Sequence, residues 1–217
     1  MIKVERFVNQ LMTSNCYIVV NIETKKCIII DPGSEKSEKE IQYINHYSLQ
    51  PDYIIITHEH TDHNWGVNAL RSLYPSVKIV CSNECNNRLN RSNRMYFLYY
   101  YDNPDYRYVI ETPDIIIKDE NESLNWSNFL LRFYFTPGHS KGGMCISIEN
   151  MIFTGDTIMP YKPYFNGRDS NQDDWIASIT KIKSLFSDDT IICPGHGDVL
   201  TFGEWKTNDE FVLNNLF

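Results

Sequence analysis

The chain has 217 residues, 42% hydrophobic, 13% aromatic and 22% charged, a composition that excludes a disordered chain and supplies a sizeable core. Its formal net charge of −8 argues against nucleic acid as a partner, because binding phosphates needs a basic face. No apolar run approaches the roughly 20 residues that span a bilayer, and Lys3, Glu5 and Arg6 interrupt the N-terminus before a signal-peptide core can form. A cytoplasmic location with no membrane partner is expected.

The first thirty residues read as strands at Ile2–Val8, Asn15–Asn21 and Cys27–Asp31. Asp31-Pro32-Gly33 is a turn, and Ser34 is the expected N-cap of a helix whose Ile41, Ile44 and Tyr47 share one face. A buried strand at Asp52–Thr57 runs directly into His58, followed by a helix from about Trp65 to Tyr74 and a strand at Val77–Cys81. This alternation indicates an α/β fold. The stretch 82–113 is less regular and rich in tyrosine, with a helix expected at its start that ends before Pro104. Strands resume at Asp114–Lys118, Phe129–Thr136, Met144–Ile148 and Met151–Thr154. A loop covers Met159–Ser170, an amphipathic helix Asp173–Phe186, and a last strand Thr190–Cys193. No boundary divides two independent domains. The six cysteines are scattered and read as free, buried thiols. Cys81 and Cys85, four apart, would share a helix face, a weak metal signal without a second pair.

Five of the six histidines fall in three places that look like strand ends. The first is Thr57-His58-Glu59-His60-Thr61-Asp62-His63, with three imidazoles within six residues of a buried strand. A core has no use for such a cluster, because each imidazole would need its own hydrogen-bond partner. Imidazole with carboxylate is the ligand set of zinc, and of iron or manganese where more oxygen is supplied. Pro137-Gly138-His139 and Pro194-Gly195-His196 each present one histidine beyond a sheet, and Gly155-Asp156 delivers one carboxylate. Each of these three is weak alone. Together with the first cluster they suggest ligands converging where α/β folds place their sites.

The chain resembles a metallo-β-lactamase-superfamily hydrolase. The His-x-His-x-Asp-His signature stands complete at His58, His60, Asp62 and His63, and the later single ligands follow in the family order. Within the superfamily it is most similar to the glyoxalase II (hydroxyacylglutathione hydrolase) group, on Asn15-Cys16-Tyr17, Asp31-Pro32-Gly33, Thr136-Pro137-Gly138-His139-Ser140, Gly155-Asp156-Thr157 and Pro194-Gly195-His196-Gly197. Asn166-Gly167-Arg168-Asp169 also resembles a loop of that group, with shortened spacing. The resemblance implies a four-layer αβ/βα sandwich, one domain over 1–217 with a tyrosine-rich insertion at about 82–113. The C-terminal helical domain of full glyoxalase II enzymes is not expected.

It further implies two divalent metal ions, zinc first, with iron or manganese as alternatives. His58, His60 and His139 would bind one ion, Asp62, His63 and His196 the other, and Asp156 would bridge them. Asp62 would also orient the attacking hydroxide, a catalytic role. Hydrolysis of a small-molecule thioester, lactone or related ester is expected. The alternatives are a mononuclear-iron, persulfide dioxygenase-like oxidoreductase and a phosphodiesterase of the same superfamily. Glu59 is expected outside the ligand set, behind it or on the surface. The tyrosine-rich stretch reads as an accessory helix or a lid over the metals, and Tyr161, Lys162, Tyr164, Phe165 and Arg168 as a second wall. Met144 and Cys145 are expected in the core.

Overall fold

The computed structural model describes residues 1–101, 108–165 and 169–213, with side chains left aside at 97–101 and 208–213. Arg168, named above as part of the second wall, and Phe97, Tyr99, Tyr100, Tyr101 and Tyr106 of the tyrosine-rich stretch lie outside the described residues or side chains. Two compact units are found, Met1–Lys118 and Asp119–Phe217.

The first unit is a six-stranded sheet in the order β1-β2-β3-β4-β5-β6. Strands β1 (Ile2–Val8), β2 (Asn15–Asn21) and β3 (Lys26–Ile30) form an antiparallel meander. Strands β4 (Gln50–Ile55), β5 (Lys78–Ser82) and β6 (Ile115–Ile117) then add parallel to β3. Parallel neighbours need long crossovers, and three helices supply them: α1 (Glu38–His46), α2 (Val67–Leu73) and α3 (Asn83–Tyr101). One core joins these helices to the sheet, through Cys16, Ile18, Ile29, Ile54, Ile44, Leu70, Cys85 and Leu89 among others.

The second unit is also six-stranded, in the order β12-β11-β10-β9-β8-β7. Its strands are β7 (Ser123–Trp126), β8 (Phe129–Phe135), β9 (Met144–Ile148), β10 (Met151–Gly155), β11 (Ile191–Pro194) and β12 (Leu200–Thr201). Only β10 and β11 pair in parallel, and helix α4 (Gln172–Leu185) connects them. Helix α5 (Phe202–Leu213) follows β12. Trp175, Ile179 and Ile182 of α4 pack with Ile152, Ile192, Phe202 and Trp205. Met144 and Cys145 are buried as expected.

Several expectations are corrected. Helix α1 begins at Glu38, with Ser37 as N-cap at φ +44°, not with Ser34. The Ser34 hydroxyl is engaged elsewhere: it donates to Asn9 Oδ1 (3.1 Å) and accepts from the Gln10 amide (3.2 Å). Tyr47 falls past the helix end and is exposed, while Glu40 joins Ile44 in the buried face. Cys81 and Cys85 do not share a helix, because Cys81 lies in strand β5 and Cys85 in the first turn of α3. All six cysteines are free and buried. Strands β7 and β12 and helix α5 were not anticipated from sequence.

Candidate metal centre

In the first unit, the adjacent parallel strands β3 and β4 end at one sheet edge, with Asp31 directly after β3 and the Thr57-His58 pair just beyond β4. The Asp31 amide donates to Ile55 O (3.0 Å), which keeps the two strand ends in step. A 3-10 turn at Thr61–His63 follows at once and carries Asp62 and His63. Gly33 allows the close approach this needs: a Cβ there would lie 1.6 Å from the Asp62 carbonyl oxygen. That same carbonyl accepts from Ser14 Oγ at 2.5 Å.

The hydrogen bonds fix which imidazole nitrogens carry protons. Asp31, at φ +54°, accepts from the Thr57 amide (2.8 Å) and from Thr57 Oγ1 (2.7 Å). The Nδ1–H of His63 donates to Asp31 Oδ2 at 2.9 Å. With its only proton committed to Asp31, Thr57 Oγ1 must accept from the Nδ1–H of His58 (3.0 Å). Both rings, when neutral, therefore present Nε2 as a lone pair. His58 Nε2 faces His60 Nδ1 at 3.1 Å. Two imidazoles on one tetrahedral ion, each at about 2.0–2.1 Å, would sit about 3.3 Å apart. His63 Nε2 in turn lies 3.5 Å from Asp62 Oδ2.

In the second unit the three donors come from separate segments. Strands β10 and β11 run in parallel with Gly155 opposite Pro194, so Asp156 and His196 leave the sheet side by side. The Gly195 amide donates to Gly155 O (2.8 Å) and holds them so. His139 lies in the β8–β9 connection. Gly138 takes φ +145°, and a Cβ there would lie 2.3 Å from the Trp175 Cα. The Nδ1–H of His139 donates to Tyr164 O (3.1 Å), which again leaves Nε2 as the lone pair. One carboxylate oxygen, Asp156 Oδ2, then lies 3.3 Å from His139 Nε2 and 3.5 Å from His196 Nε2. Behind it, Thr157 Oγ1 donates to Thr136 Oγ1 (2.8 Å) and Trp175 Nε1 to Thr157 O (2.7 Å).

Each unit thus gathers its own predicted donors, and the donor set fits divalent metal. Nitrogen and carboxylate donors face one another at 3.1–3.5 Å, and the outward Nδ1 atoms are tied to carboxylate, hydroxyl and carbonyl, as metal-bound imidazoles are. Asp31 is the functional residue that sequence reading missed, although its Asp-Pro-Gly turn was noted. Its strand-end position beside His58 was the available signal. Glu59 is buried, not on the surface, and its charge adds to the burial and the neighbouring Cys81 that push the Cys85 thiol up. Of the second wall, Phe165 packs on Trp175 with ring centroids 5.4 Å apart, Lys162 Nζ lies 6.0 Å from the Phe165 ring centre, and Tyr164 lends its carbonyl to His139. Tyr161 is half exposed, and burial with the nearby Asp156 charge raises its phenol.

Residues 10–196 match the metallo-beta-lactamase superfamily, and the chain belongs to it. Its members are mostly metal-dependent hydrolases, and the α/β fold is theirs. The crystal structure of BLEG-1 B3 metallo-beta-lactamase superposes with a TM-score of 0.86 at 26% identity, over 97% of this chain and 99% of that one. The probable polyketide biosynthesis zinc-dependent hydrolase BaeB of Bacillus velezensis is 26% identical over 212 residues, covering 96% of this chain and 83% of BaeB. The hydroxyacylglutathione hydrolase GloC of Haemophilus influenzae is 28% identical over 208 residues, covering 91% of this chain and 92% of GloC.

Proposed function

We propose that this protein is a dinuclear metal hydrolase of a small thioester, lactone or related ester. The observation that carries the reading is Asp156 Oδ2, a buried carboxylate oxygen within 3.5 Å of the Nε2 atoms of both His139 and His196. The carboxylate charge of Asp156 would draw a cation to the point these three atoms face. On the family pattern, His58, His60 and His139 would hold one ion, Asp62, His63 and His196 a second, and Asp156 would be shared between them. Two divalent cations, zinc before iron or manganese, would supply there a water that ionises near neutral pH and an electrophile for the substrate oxygen.

The chain's own residues do the rest. Asp62 would accept a hydrogen bond from the attacking water and set its direction. Asp31 holds His63 in the tautomer that leaves Nε2 for metal. A thiolate leaves without a proton, so the chain need not provide a general acid. Tyr161, beside Asp156, forms part of the wall a small organic substrate meets. A hydroxyacylglutathione hydrolase over 92% of whose length this chain runs supports placing glutathione thioesters first among substrates.

The test is elemental analysis of protein purified without chelator or nickel, followed by thioester, lactone and phosphodiester panels. About two zinc ions per chain and thioester turnover abolished in Asp156→Ala are expected. A single iron per chain, with oxygen uptake on persulfides, would replace this reading with the dioxygenase one.

A further inference from the structure

Helix α3 buries Cys85, Leu89 and Asn93, spaced four apart and exposed by 0%, 1% and 0%. The first two belong to the apolar core. Helical periodicity asks for a third apolar side chain at 93, and an asparagine stands there. Its Oδ1 accepts from Thr61 Oγ1 at 2.8 Å, while its Nδ2 has no hydrogen-bond partner among the described residues. A half-satisfied buried amide opposes folding, and an apolar residue would serve the core better. What the amide adds is a fixed point on Thr61, the residue between His60 and Asp62.

The chain returning from α3 grips the same turn from its other end. Tyr108 Oη donates to Asn64 O at 2.5 Å, and Asn64 Nδ2 donates to His60 O (2.7 Å) and Glu59 O (3.2 Å). The return is itself fastened to α3: Asn90 Nδ2 donates to Ile110 O (3.0 Å), and the Ile110 amide donates to Asn90 Oδ1 (2.9 Å). Asn68 Nδ2 adds a bond to Val109 O (2.8 Å).

We infer that α3 and residues 108–110 form a clamp on the donor turn 60–64, with Asn93 and Tyr108 as positioning residues for the metal ligands. The inference rests on the reading of His60, Asp62 and His63 as ligands. It gives the tyrosine-rich insertion a role through its buried polar contacts, distinct from any contact with substrate. Metal affinity is then set in part by a side chain, Asn93, that stands thirty residues or more from the donors in sequence.

The experiment is a zinc titration of the metal-free full chain against a chromophoric chelator, with the melting temperature of each metal-free variant measured alongside. Asn93→Leu and Thr61→Val should each weaken zinc binding about tenfold, the lower end of the range for partners of metal ligands. The double variant should lose no more than the worse single, because both remove one shared bond. Thr61→Ser should bind zinc as the parent does, and Tyr108→Phe should weaken it a few-fold. Metal-free Asn93→Leu should melt no lower than the parent. Zinc affinities within twofold of the parent in Thr61→Val and Tyr108→Phe would overturn the clamp, and these two small changes decide the matter even where Asn93→Leu fails to fold. A parent chain that takes up no zinc would instead remove the metal reading, and the clamp with it.

Discussion

The two units build their donor groups by different routes. The first places His58, His60, Asp62 and His63 within six residues, on a strand end and a single 3-10 turn. The second draws His139, Asp156 and His196 from three connections spread over almost sixty residues. Yet both rest on one device, an adjacent parallel strand pair whose carboxyl ends deliver a carboxylate beside an imidazole: Asp31 with His58, and Asp156 with His196. A local turn has its donors held by individual hydrogen bonds, whereas a dispersed set depends on packing behind it. The first should therefore fail through single polar contacts and the second through shape.

The largest expected effect tests shape in the second unit. Gly138→Ala forces a Cβ to within 2.3 Å of the Trp175 backbone at a φ of +145°. It should cost about 3 kcal/mol or more, read by chemical denaturation, with loss of the ion assigned to His139. Asp31→Asn is the matching polar test in the first unit. It keeps the size but turns an amide donor toward the His63 Nδ1–H or the Thr57 donors. A 10–100-fold weaker zinc affinity is expected at the ion assigned to His63, with the fold retained by circular dichroism. Equal damage at both ions would erase the contrast between the units. Trp175→Phe removes the donor to Thr157 O while keeping most of the ring, and should cost about 1–2 kcal/mol by the same denaturation measurement.

The smallest effect concerns Glu40, buried in the first unit beside Cys16, where burial raises its carboxyl. A raised carboxyl favours the native state fully below its unfolded value, and that contribution is lost as pH rises through the folded value. Glu40→Gln should therefore gain stability relative to the parent as pH climbs from 4 to 8, seen as a widening gap in melting temperature. A gap that narrows over this range would show that the fold lowers the Glu40 carboxyl instead of raising it.

The contrast between the units also explains what the sequence made legible. The donor cluster at 58–63 announced itself because its side chains are neighbours in the chain. His139, Asp156 and His196 were each weak until grouped, since their proximity is created by β10–β11 pairing and the bonds behind Thr157. Asp31 escaped notice because its role depends on strand order, which places β3 beside β4. The start of α1 was misjudged because Ser34 spends its hydroxyl on the 9–10 turn rather than on a helix. Four-residue β7 and two-residue β12 owe their existence to partners across the sheet; their own side chains carry little periodic pattern. The length of α3 was foreshadowed, but nothing local to Asn93 pointed to Thr61.

The buried thiols have a use outside the chemistry of the site. Four of the six, Cys16, Cys27, Cys81 and Cys85, lie in the first unit, and Cys145 and Cys193 in the second. Burial pushes Cys27 up to about 12 and Cys145 up to about 11, so neither is a nucleophile while its unit stays closed. A thiol in an opened chain returns to about 8.5 and reacts readily. Alkylation followed residue by residue in a mass spectrometer would then clock how often each half opens, and whether they open together, without any change to the sequence.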